Sequence, residues 1–129
     1  MSSPETYDWK NKSILIADDE LTNFIIVDKL LQKTGIQIFH AENGEQAVMI
    51  FKENPKIDLI LMDIRMPEMG GLEATKYIRG INRNIPIIAF TAFALSDDEA
   101  IALEFGCDDY ISKPIRPDFL LKKISEHIK

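Results

Sequence analysis

Apolar and polar positions fall into blocks along this chain, and the period changes from block to block. Residues 14–17 form a short apolar run, and residues 21–33 then place apolar side chains at helical spacing as far as Gly35, which suits the position just past a helix end. Residues 36–41 predict a second strand, and 45–53 a helix beginning after Asn43 and Gly44. The stretch 57–63 is almost continuous Ile, Leu and Met and ends on Asp63, with Pro67 stopping it soon after. Such a run without alternation fits a strand covered on both faces. Residues 72–79 predict a helix ended by Gly80, 85–90 a strand around Pro86, and 97–105 a helix capped by Ser96 and ended by Gly106. Residues 110–112 read as a short strand, and 118–128 as an amphipathic helix after Pro117. Five strands alternating with five helices over short connections predict an α/β fold, a doubly wound parallel sheet with helices on both faces. Residues 1–12 are polar and lack periodicity, so they read as a flexible tail or linker that Trp9 could pin, leaving 13–129 as one domain.

The first helix carries a further signal. At about 100° per residue, Val27, Leu30, Leu31 and Thr34 share one face, which must be the core face, and Asp28, Lys29, Gln32 and Lys33 mark the opposite one. Leu21 and Ile25 fall with the second group, one turn apart, and predict an exposed apolar pair.

Composition narrows the class. A chain of 129 residues with 46% hydrophobic content is sized for one domain with a real core. Its net charge of −6 argues against direct nucleic-acid binding or attachment to a membrane surface. Cys107 is the single cysteine, which excludes an internal disulfide or a cysteine-based metal cluster and suits a reducing compartment. No apolar run approaches the roughly 20 residues that span a bilayer, and the N-terminus lacks a signal pattern. A cytoplasmic location is expected, either free-standing or as the cytoplasmic part of a larger protein.

The candidate chemistry collects at strand ends. Asp18-Asp19-Glu20 follows the first strand, Asp63 ends the third, Thr91-Ala92 follows the fourth and Lys113-Pro114 the fifth. In open α/β sheets this is the edge where ligands bind. Three carboxylates there would repel one another without a cation. A set of oxygen donors with no His or Cys favours a hard ion such as Mg²⁺, which keeps waters and binds phosphates. Lys113 offers a fixed cation and Thr91 a hydroxyl, both suited to phosphoryl oxygens. Each of these residues taken singly also has a structural reading: Asp63 as a turn cap, the acidic run as a complement to a helix dipole, Lys113 as a solvated charge. Their coincidence at one edge favours a shared site. Lys113 must point back over that edge while the chain turns, and an X-Pro bond costs only about 0.5–1 kcal/mol in the cis form, so a cis peptide is expected before Pro114.

Four separated segments then carry a likeness. Ile14-Leu15-Ile16-Ala17-Asp18-Asp19-Glu20, Met62-Asp63-Ile64-Arg65-Met66-Pro67-Glu68-Met69 with Gly71-Leu72, Thr91-Ala92, and Asp109-Tyr110-Ile111-Ser112-Lys113-Pro114 resemble the receiver domain of two-component response regulators. Asn23 and the Asp108-Asp109-Tyr110 approach to Lys113 make them most similar to receivers fused to hybrid sensor histidine kinases. The resemblance implies the flavodoxin-like strand order 2-1-3-4-5, with Asp63 as phosphoacceptor for a histidine kinase or histidine phosphotransfer domain. It implies Asp19, Asp63 and the Arg65 carbonyl as Mg²⁺ ligands, with Asp18 bound through water. It also implies Lys113, Thr91 and Ala92 on the phosphoryl oxygens, and Tyr110 as the switching aromatic. Such a protein is a switch that assists its own phosphorylation and dephosphorylation rather than an enzyme. A partner helix presenting its His to Asp63 would lie on Leu21 and Ile25, which border the pocket. Arg65 and Phe93, two residues beyond Asp63 and Thr91, would flank the path of an attacking water. One departure is Gly70, where the family usually carries Asp; that position caps the third helix.

Two other classes fit less well. A phosphatase of the haloacid dehalogenase type needs an acid two residues past its nucleophile, and Arg65 stands there. A flavin or nucleotide carrier needs a Gly-rich or Ser/Thr-rich loop after the first strand, where this chain has three acids.

Overall fold

The computed structural model describes residues 7–66, 68–91 and 96–128. Pro67, Ala92 and Phe93 lie outside the described residues, as does the Ser96 side chain expected to cap a helix. The strands are β1 (Ser13–Ala17), β2 (Gln37–Ala41), β3 (Leu59–Asp63), β4 (Ile87–Thr91) and β5 (Asp109–Ser112). They alternate with α1 (Leu21–Gln32), α2 (Gly44–Glu53), α3 (Gly71–Ile81), α4 (Ser96–Glu104) and α5 (Pro117–His127). All pairings are parallel, as the alternation of strands and helices predicts, in the order β2-β1-β3-β4-β5 that the resemblance implies.

Every residue of β3 and β4 is buried, which is why neither strand alternates in sequence. Leu15, Ile60, Met62 and Ala89 face Phe51, Ala74 and Ile78 of α2 and α3. Ile14, Ile16, Leu61 and Phe90 face Val27, Leu31, Leu120 and Ile124 of α1 and α5. Trp9 joins this second cluster, its backbone N–H donates to the Thr34 carbonyl at 2.7 Å, and its ring stacks on Tyr7.

The element ends mostly follow their local chemistry. Gly35 adopts φ +78° after α1, and Asn43 caps α2 by accepting from the Gln46 N–H at 2.8 Å. Most bounds fall within one residue of expectation, while α3 and β4 each have an end that differs by two residues. Gly80 does not stop α3, which continues to Ile81. The reason is Arg79, whose guanidinium donates to the carbonyls of Asn82, Ile85 and Gly106 and pairs with Asp108 at 2.7 Å. Those contacts hold the last turn that a glycine alone would release. The fourth strand begins at Ile87 rather than Ile85, because Pro86 has no N–H for the ladder, although its carbonyl accepts from the Ile60 N–H at 2.9 Å.

The start of α3 bears most directly on the site. A Cβ at Gly71 would collide with the Asp63 carbonyl oxygen and stand 2.8 Å from Ile64 Cα. A Cβ at Gly44 would stand 2.5 Å from the Met69 carbonyl oxygen, which already accepts the Gly44 N–H at 2.8 Å. Two bare backbones therefore let α2 and α3 close against the end of β3.

Candidate functional site

The strand order brings the expected residues into a row. β1 and β3 are neighbours, with Ala17 opposite Met62, so the next residues, Asp18 just past β1 and Asp63 at the end of β3, emerge side by side. β4 delivers Thr91 on the other flank of β3, and Lys113 leaves β5 beyond it. This is where the chain order reverses across the sheet, the usual ligand crevice of such folds.

Each buried acid is held by its own backbone. Asp18 Oδ1 accepts the Glu20 N–H at 2.9 Å, and Asp63 Oδ1 accepts the Arg65 N–H at 3.0 Å. The same local turn, an aspartate bonded to the amide two residues on, thus fixes one oxygen of each carboxylate and frees the other. Asp63 Oδ2 receives Lys113 Nζ at 3.1 Å. Asp18 Oδ2 lies 3.5 Å from the same ammonium and, although Asp18 is only 1% exposed, has no hydrogen-bond partner among the described residues. Lys113 Nζ also stands 4.8 Å from the centre of the Phe90 ring and 3.7 Å from Glu20. The peptide between Lys113 and Pro114 is cis, as expected.

Electrostatics reflect this crowding. Burial pushes the Asp63 carboxyl up to about 6, with Asp18 adding to the rise against the Arg65 N–H and the Lys113 charge. Burial draws the Lys113 ammonium down, but Asp63, Asp18 and Glu20 outweigh it and hold its pKa above the ordinary value. One ammonium therefore faces three acids.

Carboxylate oxygens of Asp18, Asp19 and Asp63 lie within 4.8 Å of one another. An oxygen-only set with one buried, unpartnered oxygen fits a hard divalent cation. Thr91 is 1% exposed at the end of β4, and Tyr110 is half-buried on β5. Leu21 and Ile25 are 61% and 42% exposed, as the helical wheel predicts. Ile26, which the wheel did not single out, is 45% exposed beside them. Sequence reasoning also passed over His40, whose Nε2 contacts the Asp18 carbonyl at 3.0 Å while its ring stacks on Phe24. Its signal was available only once the register of β2 on β1 was known. Ala92 and Phe93, assigned to the phosphoryl oxygens and to shielding, are outside the described residues.

The comparisons with known proteins agree with this arrangement. The response regulator receiver domain model matches residues 14–125. Hybrid signal transduction histidine kinase I of Dictyostelium discoideum is 42% identical over 125 residues, covering 91% of this chain, which spans 7% of that protein's length. A chain in the co-crystal of the Saccharomyces cerevisiae histidine phosphotransfer protein Ypd1 with the receiver domain of the response regulator Ssk1 superposes with a TM-score of 0.87 at 33% identity, covering 95% of this chain and 91% of that one. The receiver domain of the Pseudomonas aeruginosa sensor histidine kinase PA1611, solved with magnesium in its active-site cleft, gives a TM-score of 0.82 at 34% identity, covering 90% of this chain and 96% of that one. With the sheet order, the acid pair and the cis-bonded lysine all in place, the chain belongs to the response regulator receiver domain family of two-component signalling.

Proposed function

We propose that Asp63 accepts a phosphoryl group from a phosphohistidine on a histidine kinase or a histidine phosphotransfer domain. The observation that carries this reading is the pairing of Asp63 Oδ2 with Lys113 Nζ at 3.1 Å beside a bare Asp18 oxygen, at a sheet edge built to bind a ligand. A carboxylate oxygen of Asp63 attacks phosphorus in line, the phosphorus–nitrogen bond breaks, and its electron pair stays on the departing imidazole, which takes up a proton. Lys113 neutralises a phosphoryl oxygen during the transfer. Asp18, Asp19, Asp63 and the Arg65 carbonyl would hold Mg²⁺. When bound, that ion supplies the remaining positive charge against the phosphoryl oxygens. Thr91, together with the main chain at Ala92, then closes on the new oxygens, and Tyr110 moves into the space Thr91 leaves, a shift between two packings. The domain acts as a phosphoacceptor switch rather than a turnover enzyme. We place it in the cytoplasm, a reducing compartment that its single free cysteine suits. Among the described residues no helix is long and apolar enough to cross a membrane. Mass spectrometry after incubation with acetyl phosphate and Mg²⁺ should find one phosphoryl group, on Asp63. Labelling on any other residue, or none, would overturn the reading.

The donor would dock on α1. Leu21 and Ile25 are exposed apolar residues in the first turns after the acidic loop, so a partner helix seated on them would bring its His to the pocket. Ile25→Glu is expected to weaken phosphotransfer from a protein donor by about 1–3 kcal/mol, the scale of an interface anchor. Labelling by acetyl phosphate, which needs only the pocket, should stay unchanged. Equal loss from both donors would instead mean damage to the fold or the site.

A further inference from the structure

We infer that His40 is a positioning residue for the acidic half of the site, acting through the main chain of Asp18; this rests on the reading of Asp18, Asp19 and Asp63 as cation ligands. His40 sits on the edge strand β2, opposite Ile16 of β1, one step before the strands part. Its Nε2 lies 3.0 Å from the Asp18 carbonyl oxygen. A carbonyl can only accept, so the ring nitrogen donates. The ring is set by stacking on Phe24 of α1, with centroids 3.8 Å apart and planes 11° from parallel.

The neighbouring peptide is fastened too, because the Asp18 N–H donates to the Ala41 carbonyl at 3.0 Å. The peptide groups on both sides of the Asp18 Cα are therefore anchored to the end of β2. That fixes the direction of its Cα–Cβ bond. The Glu20 N–H on Oδ1 then takes up the remaining side-chain freedom. Oδ2 is left aimed into the site, buried and without a hydrogen-bond donor among the described residues, although Asp63 repels it. Among the described residues only a 3.5 Å approach to Lys113 acts on Oδ2 itself. The orientation comes from behind, and His40 supplies the half of the anchor that no described backbone group provides. The same peptide sets where Asp19 begins, so losing the bond would displace two ligands at once. Groups that orient metal ligands from outside typically contribute 10–100-fold in affinity.

The test uses the whole chain and two variants. His40→Phe keeps a flat ring against Phe24 and removes the donor; His40→Gln keeps an N–H at comparable reach and removes the ring. Mg²⁺ affinity by titration calorimetry should fall about tenfold in His40→Phe and stay within about threefold of the parent in His40→Gln. Acetyl phosphate labelling of His40→Phe should be slow at low Mg²⁺ and recover the parent rate at saturation. A purely structural role predicts a lower melting temperature with unchanged affinity, and that result would overturn the inference. So would equal weakening in both variants. Should His40→Phe fail to fold, His40→Met, which likewise has no N–H to donate, takes its place: the same tenfold loss is expected, and unchanged affinity would overturn the inference. A parent chain that binds no Mg²⁺ would refute the reading of the site itself, whatever the variants do.

Discussion

Replacing Asp63 by asparagine should abolish labelling of the chain by acetyl phosphate. The amide has no anionic oxygen to attack phosphorus, and the other two acids are poorly placed to substitute. Asp18 approaches Lys113 only to 3.5 Å and makes no hydrogen bond to it, while Asp19 is exposed and makes no ion pair with Lys113 among the described residues. Asp63 alone combines burial with a direct 3.1 Å contact to the ammonium. The effect expected is loss to background, at least a thousandfold in rate, or about 4 kcal/mol of barrier. The measurement is phosphoprotein detection over time with and without Mg²⁺, and a variant that still labels on another carboxylate would refute the assignment.

The same substitution should stabilise the metal-free protein at neutral pH. Asp63 has a folded pKa of about 6 against an ordinary value of 3.8. Between those pH values the folded chain keeps a proton that the unfolded chain has released, so its stability falls as pH rises through that window and levels off above it. Roughly two units at 1.36 kcal/mol each gives about 3 kcal/mol held back at neutral pH. Asp109 behaves oppositely. Burial alone would raise its carboxyl, but His127, the Tyr110 N–H and Lys123 hold it below the usual range, so its contribution is lost as pH falls. Subtracting the Asp63→Asn curve from that of the parent removes such terms. Urea unfolding in chelator should show the variant more stable by about 3 kcal/mol at pH 8, with the gap closing below the unfolded value, near pH 3. Saturating Mg²⁺ should close the gap by stabilising the parent, as any ligand of the folded state does. Coincident curves at pH 8 would mean that Asp63 is not buried as described.

Much of this was legible in the sequence because burial writes itself directly into residue type. The unbroken run ending at Asp63 fixed a central strand, and an acid that ends such a strand can be placed at the sheet edge without coordinates. Leu21 and Ile25 stood out because a helix of known phase leaves no ambiguity about its faces. What stayed hidden depends on contacts between distant segments. Gly80 reads locally as a stop, and only Arg79 reaching Ile85 and Gly106 explains why the helix runs on. His40 is unremarkable in a short edge strand, where a shift of one residue would turn its ring to the other face. Asp18 and Asp19 look equivalent as neighbours, yet one is buried with a bare oxygen and the other faces solvent.

The bare start of α3 also governs how far this chain can drift. Gly71 lies against the main chain of Asp63 and Ile64, so any side chain there would have to push backbone, and part of the backbone in its way belongs to the proposed phosphoacceptor. At Gly70 a Cβ would meet, among the described residues, just the Ile64 carbonyl oxygen, at 3.3 Å, which a shift of a few tenths of an ångström relieves, and the extended backbone suits any residue. An aspartate at 70 would even supply the helix cap that the glycine lacks. In a library covering both codons, survivors should carry many residues at position 70 and glycine alone at 71. Permissiveness and strict constraint thus sit on adjacent letters, and the distance of each from Asp63 in space, rather than along the chain, decides which is which.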